Sequence, residues 1–234
     1  MAEYGSVFVT RATPPPVVIF RDDREVETFQ SSLEASQADV GGYTIKLQKE
    51  ALTALEAATS EARRAGISIT PRAADAAKRT YDETLALWRR NVKRGLEHWT
   101  SAGKLTPEEA SEVERLAPLE QTSAVLGLEQ SREAFFSTFF DKSIIYSVAP
   151  PGASQHLSLL AFDVKEYSDN RVDALLTEHG WYRTVTSDLP HFTYLGFEKQ
   201  TLPDLGLIEA VRKYDSDTYR FWIPDSNLLP VARR

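Results

Sequence analysis

Two short apolar segments, ASQHLSLLAFD at 153–163 and SDLPHFTYLG at 187–196, each carry a histidine and an aspartate. The chain has only four histidines: His156, His179 and His191 lie in its C-terminal half, and His98 stands alone on a helical pattern. An unpaired imidazole or carboxylate is costly to bury, so these groups need partners in the folded protein. Two imidazoles and a carboxylate (His156, Asp163 and His191) make a common catalytic zinc set, with water in the fourth position. The seven-residue spacing puts His156 and Asp163 on opposite faces of a regular strand. The set therefore requires a bend, or a His156 that lies in the loop before the strand, and APPGAS at 149–154 supplies such a loop. Histidines that are merely buried and hydrogen-bonded are the competing reading of the same residues.

Asp188 precedes His191 by three residues, close enough in sequence to set a carboxylate beside a metal-activated water and take its proton. The alternative is a turn residue before Pro190. Arg72 ends the segment ITPR, where a guanidinium could face a developing oxyanion or form a surface ion pair.

The run from Pro150-Pro151-Gly152-Ala153-Ser154-Gln155-His156 through Ala161-Phe162-Asp163 resembles the SxHxxGxAxD signature of zinc D-alanyl-D-alanine carboxypeptidases and dipeptidases. That family includes the vancomycin-resistance D,D-peptidases. Pro190-His191-Phe192-Thr193-Tyr194-Leu195-Gly196 is similar to its second signature, ExWH followed by an aromatic strand ending in glycine. ITPRAAD, with RTYDET at 79–84, resembles the upstream strand-plus-arginine element, so the likeness covers roughly residues 67 to 200. Leu159, Pro190 and Asp188 stand where the family has glycine, tryptophan and glutamate.

The resemblance implies a zinc-dependent D,D-carboxypeptidase-like metallopeptidase, a hydrolase acting on peptidoglycan stem peptides at D-Ala-D-Ala-type bonds of the cell wall. It implies zinc ligands His156, Asp163 and His191, a catalytic base at Asp188 and a transition-state arginine at Arg72. Arg79 is the alternate arginine, and Ser154 a substrate-binding hydroxyl. It also implies a periplasmic or extracytoplasmic location and the small α+β fold shared with the amino-terminal domain of hedgehog proteins. The three departures support an alternative, a catalytically weak or inactive zinc-bearing peptidoglycan-binding module on the same scaffold. A metal-free helical interaction protein is the third reading.

The elements that must position these residues change texture along the chain. Residues 1–42 read as an extended N-terminal segment, with VFVT and VVIF around Pro14-Pro15-Pro16 and glycines at 41 and 42. Residues 43–234 read as one catalytic domain with a helical N-terminal part. Helical spacing runs from Tyr43 to Ala65, stopped by Gly66, and again from Ala74 to Trp99. ISIT at 67–70 reads as a strand between them. Thr106-Pro107-Glu108-Glu109 starts another helix, or a broken pair, that runs towards Leu128. After Phe140, SIIYSV, LLAFDV, WYRTV and HFTYLGF read as strands. DNRVDALLTEHG reads as a short helix ending at His179 and Gly180, GLIEAVRKY as another, and FWIP as an apolar anchor. Helices followed by an antiparallel sheet indicate an α+β class.

The chain of 234 residues suffices for one substantial core. Its net charge of −7 and the lack of a basic stripe argue against nucleic acid and anionic membrane as partners. The absence of cysteine excludes thiolate catalysis, disulfides and cysteine-rich metal sites. No apolar run is long enough to span a bilayer. The opening MAEYGSVFVT lacks the charged-then-apolar pattern of a secretion signal, which leaves the compartment open without the resemblance.

Overall fold

The computed structural model describes residues 2–227; residue 1 and residues 228–234, at the ends of the two segments expected above, lie outside the described residues. Helices and small antiparallel sheets make this an α+β protein. The backbone divides into two compact units, one of Met1–Pro16, Thr28–Lys78 and Gln155–Arg234, the other of Val17–Glu27 and Arg79–Ser154. Helix α1 (Asp23–Ser32) carries one of the crossings between them. Among the described residues no helix is long and apolar enough to cross a membrane.

In the first unit, a short 3-10 helix (Ala2–Val9) precedes a hairpin of β1 (Ala35–Val40) and β2 (Tyr43–Gln48). Gly41 and Gly42 form its two-residue turn with φ of 59° and 83°, the left-handed region that such a turn demands. The helix expected from Tyr43 begins only at α2 (Lys49–Arg64). Ile45 and Leu47 are two apart and bury one face of a strand, whereas Ala51, Leu52, Leu55, Ala58 and Ala62 follow the helical period. ISIT forms no strand; next to it only Pro71 bridges, to Val164.

A three-stranded antiparallel sheet follows, in the order β3 (Ala161–Asp163), β5 (His191–Tyr194) and β4 (Trp181–Tyr182). Its strands alternate strictly. Phe162, Trp181, Phe192 and Tyr194 join a core with Leu52, Leu55 and Ala58 of α2. Burial of each large ring stabilises by about 1.5–3 kcal/mol. Val172 and Leu176 of α6 (Asn170–Glu178) enter the same core, between the Asp169 cap and Gly180 at φ 79°. The opposite face of the sheet carries Asp163, His191 and Thr193.

GLIEAVRKY, expected as a helix, is instead β6 (Leu207–Tyr214), paired along its whole length with β7 (Asp217–Pro224). Its partner strand buries Tyr219 and Phe221 at alternate positions, and Asp215 turns the chain at φ 51°. Cross-strand pairing outweighs the helical propensity of the Glu-Ala-Val-Arg-Lys run. FWIP forms the end of β7, with Phe221 and Trp222 buried.

The second unit is helical. Helix α3 (Tyr81–Ser101) starts at Thr80 rather than Ala74, because Thr80 and Glu83 close a capping box that satisfies the first backbone N–H groups. Thr106 and Glu109 repeat the device at α4 (Pro107–Arg115). Helix α5 (Pro118–Arg132) is separate because Pro118 holds Ala117 extended. Trp88, Val92, Leu96, Val125, Phe136 and Ile144 build the core. SIIYSV, expected as a strand, supplies a single 3-10 turn (Ile144–Tyr146).

Candidate metal centre

Strand register brings two of the three candidate donors together. Asp163 and His191 are directly opposed across the antiparallel β3–β5 pair, so their side chains emerge side by side on one face. His156 reaches them because the chain bends between it and β3. It sits in a 3-10 helix (Gln155–Ser158), and Leu159 then takes φ 57° to redirect the backbone into the strand. A left-handed leucine costs about 1–2 kcal/mol, the position at which the resembling signature has glycine. The Leu159 side chain is fully buried, and its carbonyl accepts from the Gln48 N–H at 3.0 Å.

The donors converge. His156 Nε2 lies 3.4 Å from Asp163 Oδ1, and His191 Nδ1 lies 3.1 Å from the same oxygen. The two imidazole centroids are 5.0 Å apart, edge to face. All three residues are buried, and their ligand atoms lie within 4.8 Å of one another.

Each imidazole is held from behind. His156 Nδ1 is 3.2 Å from the Ala77 carbonyl, which can only accept, so Nδ1 carries the hydrogen and Nε2 turns to Asp163. His191 Nε2 is 2.8 Å from Gln155 Oε1, again an acceptor, so its Nδ1 is the nitrogen turned inward. Two imidazole nitrogens and a carboxylate oxygen thus point at one another, an arrangement that needs positive charge between them: protons or a cation. A ring whose outer N–H is tied to a carbonyl, with its inner nitrogen aimed at a shared point, is the usual disposition of a metal-binding histidine. The cluster could hold a metal ion.

Segment 71–77 wraps this group through the backbone. Arg72 N–H donates to the Asp163 carbonyl at 2.9 Å, and Asp163 N–H donates to the Ala76 carbonyl at 2.8 Å. The Pro190 carbonyl accepts from Val164 N–H at 2.9 Å, which extends the β3–β5 pairing by one backbone bond.

No family model, curated protein or solved structure matches this chain.

The electrostatics separate the two acids. Burial pushes the Asp163 carboxyl up, but the charges and hydrogen bonds of His156 and His191 outweigh it and hold the group well below the usual carboxylate range. Asp188 moves the other way. Burial raises it; the His191 charge lowers it, the Asp163 charge raises it, and His156 and Arg72 lower it, leaving the group above its ordinary value. Asp188 is therefore inside the field of the triad and of Arg72. A tight turn holds it there, its N–H donating to Val185 O at 3.1 Å and its carbonyl accepting from His191 N–H at 3.2 Å. Arg72 itself is exposed.

Ser154 and Arg79, the other two expected site residues, belong to the second unit and are each half-buried. The remaining histidines serve elsewhere. His98 stacks on Phe140 with centroids 4.1 Å apart, and His179 ends α6 with Nε2 at 3.0 Å from Glu61. Gln155, Thr184 and Thr193 form a buried polar group behind His191 that the sequence reading missed. One signal pointed to it: Thr193 is two residues from His191 and shares its face of the strand.

Proposed function

We propose that the first unit is a zinc peptidase centre that cleaves D-Ala-D-Ala-type bonds in peptidoglycan stem peptides, as a D,D-carboxypeptidase. The observation that carries this reading is the convergence of His156, Asp163 and His191 on one point, with the half-buried Asp188 carboxyl within the field of the same group. Their order along the chain is that of the two resembling signatures. Tetrahedral zinc with ligands at about 2.0–2.1 Å spaces its donors about 3.3 Å apart, close to the observed 3.1 and 3.4 Å. A nitrogen-rich set favours zinc over harder cations.

When bound, zinc would polarise the scissile carbonyl and acidify a water molecule. The chain's own groups supply the rest. Asp188, whose proton affinity is raised by burial, accepts the proton of the attacking water and returns it to the leaving amine. Arg72, whose backbone N–H is tied to the Asp163 carbonyl, would supply the guanidinium for the charge that develops on the carbonyl oxygen. Substrate of this chemistry implies an extracytoplasmic setting.

Incubation of the zinc-loaded chain with a pentapeptide ending in D-Ala-D-Ala should release D-alanine. Asp188→Ala should lower that rate by about 10²- to 10⁴-fold while zinc stays bound. Equal release from both forms would reject the assigned base. Bound zinc with no turnover on any stem peptide would leave a metal-bearing wall-binding module.

A further inference from the structure

We propose that Gln155 is a positioning residue for the metal centre: its amide holds His191 in the tautomer that leaves Nδ1 open towards Asp163 and a bound cation. This rests on the reading that the triad holds a cation, and not on peptidase activity. Gln155 is 3% exposed and directly precedes His156 in the 3-10 helix. Its Nε2 donates to the main-chain carbonyl of Tyr4, in the N-terminal 3-10 helix, at 3.3 Å. A carbonyl accepts only, so the opposite amide orientation would set two acceptors against each other. Oε1 is thereby turned towards His191.

There it meets three polar neighbours. The Thr193 hydroxyl donates to Gln155 Oε1, the Thr184 hydroxyl donates to it at 3.2 Å, and His191 Nε2 lies 2.8 Å away. An amide oxygen can only accept, so the 2.8 Å contact requires a proton on His191 Nε2. The consequence appears on the other side of the ring, where Nδ1 faces Asp163 Oδ1 at 3.1 Å. Without the amide, the ring could keep its proton on Nδ1, the very nitrogen the cation needs. The amide keeps the retained proton on Nε2, so the proton shared between Nδ1 and Asp163 is the one a cation displaces. Ala77 does the same for His156 with a backbone carbonyl. The N-terminal segment thus reaches the centre through one amide, a chain from Tyr4 to Gln155 to His191.

Two measurements test this. Long-range ¹H–¹⁵N spectra of the zinc-loaded wild-type chain should show His191 with its proton on Nε2 and its Nδ1 bound to the metal; a ring that binds through Nε2 with its proton on Nδ1 would overturn the proposal whatever the variants do. Zinc titration of Gln155→Leu should show affinity lower by about 10- to 100-fold. Gln155→Glu, which keeps an acceptor towards His191, should stay within about threefold of wild type, well short of that loss. Affinity unchanged in a folded Gln155→Leu, or lost equally in both variants, would contradict it, as would a wild-type chain that binds no zinc. Neither readout involves peptide hydrolysis, so a chain that binds zinc in this way yet cleaves nothing would refute the peptidase reading alone.

Discussion

In the helical unit the buried Glu129 carboxylate accepts from the backbone N–H groups of Phe136 (3.0 Å) and Ile144 (2.7 Å) and from the Ser143 hydroxyl. Gln121 there joins the Trp88 indole to the Val113 and Glu114 carbonyls. In the sheet-bearing unit Asp163 and Gln155 turn instead to imidazoles, which are themselves held in place by carbonyl groups. Both patterns place polar atoms in low dielectric, where an unmet group is expensive. The difference lies in closure. Glu129 ends its network on groups that need nothing further, so its role is to fold the loop after α5. The triad directs three potential ligand atoms inward at one another, an arrangement that could hold a metal ion. Buried polarity that closes on backbone is architecture; buried polarity that converges is a candidate site.

Substitutions can break that contrast. The largest effect is expected from Asp163→Ala, which should lower zinc affinity by about a thousandfold or more, ~4 kcal/mol, in calorimetric titration. Glu129→Leu should leave zinc affinity unchanged. It strands two buried N–H groups and a hydroxyl, and should reduce stability in urea titration by about 2–4 kcal/mol. Leu159→Gly relieves the left-handed backbone but removes a buried side chain, for a net loss of about 1–3 kcal/mol. Its zinc affinity should stay near wild type if the bend, and not the leucine, places His156.

Acid titration sharpens the comparison with smaller effects. Asp163 has a folded-state pKa well below 3.8, so its stabilisation is present above that value and disappears as pH falls through the folded pKa. Glu109 of the helical unit, at about 2 beside Arg132, follows the same sign, with its contribution lost between 4.5 and about 2. Glu109 is on the surface and Asp163 is buried, so salt should flatten the Glu109 contribution and spare that of Asp163. Urea midpoints of Asp163→Asn and Glu109→Gln between pH 5 and 2, at low and high salt, separate the two.

Legibility in the sequence follows the same physics. Thr106-Pro107-Glu108-Glu109 and the Asp169–Gly180 helix are local signals, in which a few neighbouring residues satisfy a terminus, and the structure contains both. The proximity of His156, Asp163 and His191 depended on a bend near Leu159 that the odd spacing already demanded. Strands fared worse. GLIEAVRKY has good helical propensity, and its pairing with DTYRFWIP is a property of two segments rather than one. Tyr43–Gln48 merged into a helical pattern because its two inward residues fell near the helical stripe that starts at Ala51. Gln155 left no trace at all: an uncharged amide has no spacing rule, and its partners Tyr4, Thr184 and Thr193 are far from it in sequence.

X-ray absorption at the zinc edge of the purified, zinc-loaded chain tests the central claim most directly. The account predicts about one zinc per chain, with two imidazole nitrogens and a carboxylate oxygen at about 2.0–2.1 Å, and loss of the imidazole signature in His156→Ala. An all-oxygen shell, or a spectrum unaltered by His156→Ala, would contradict it.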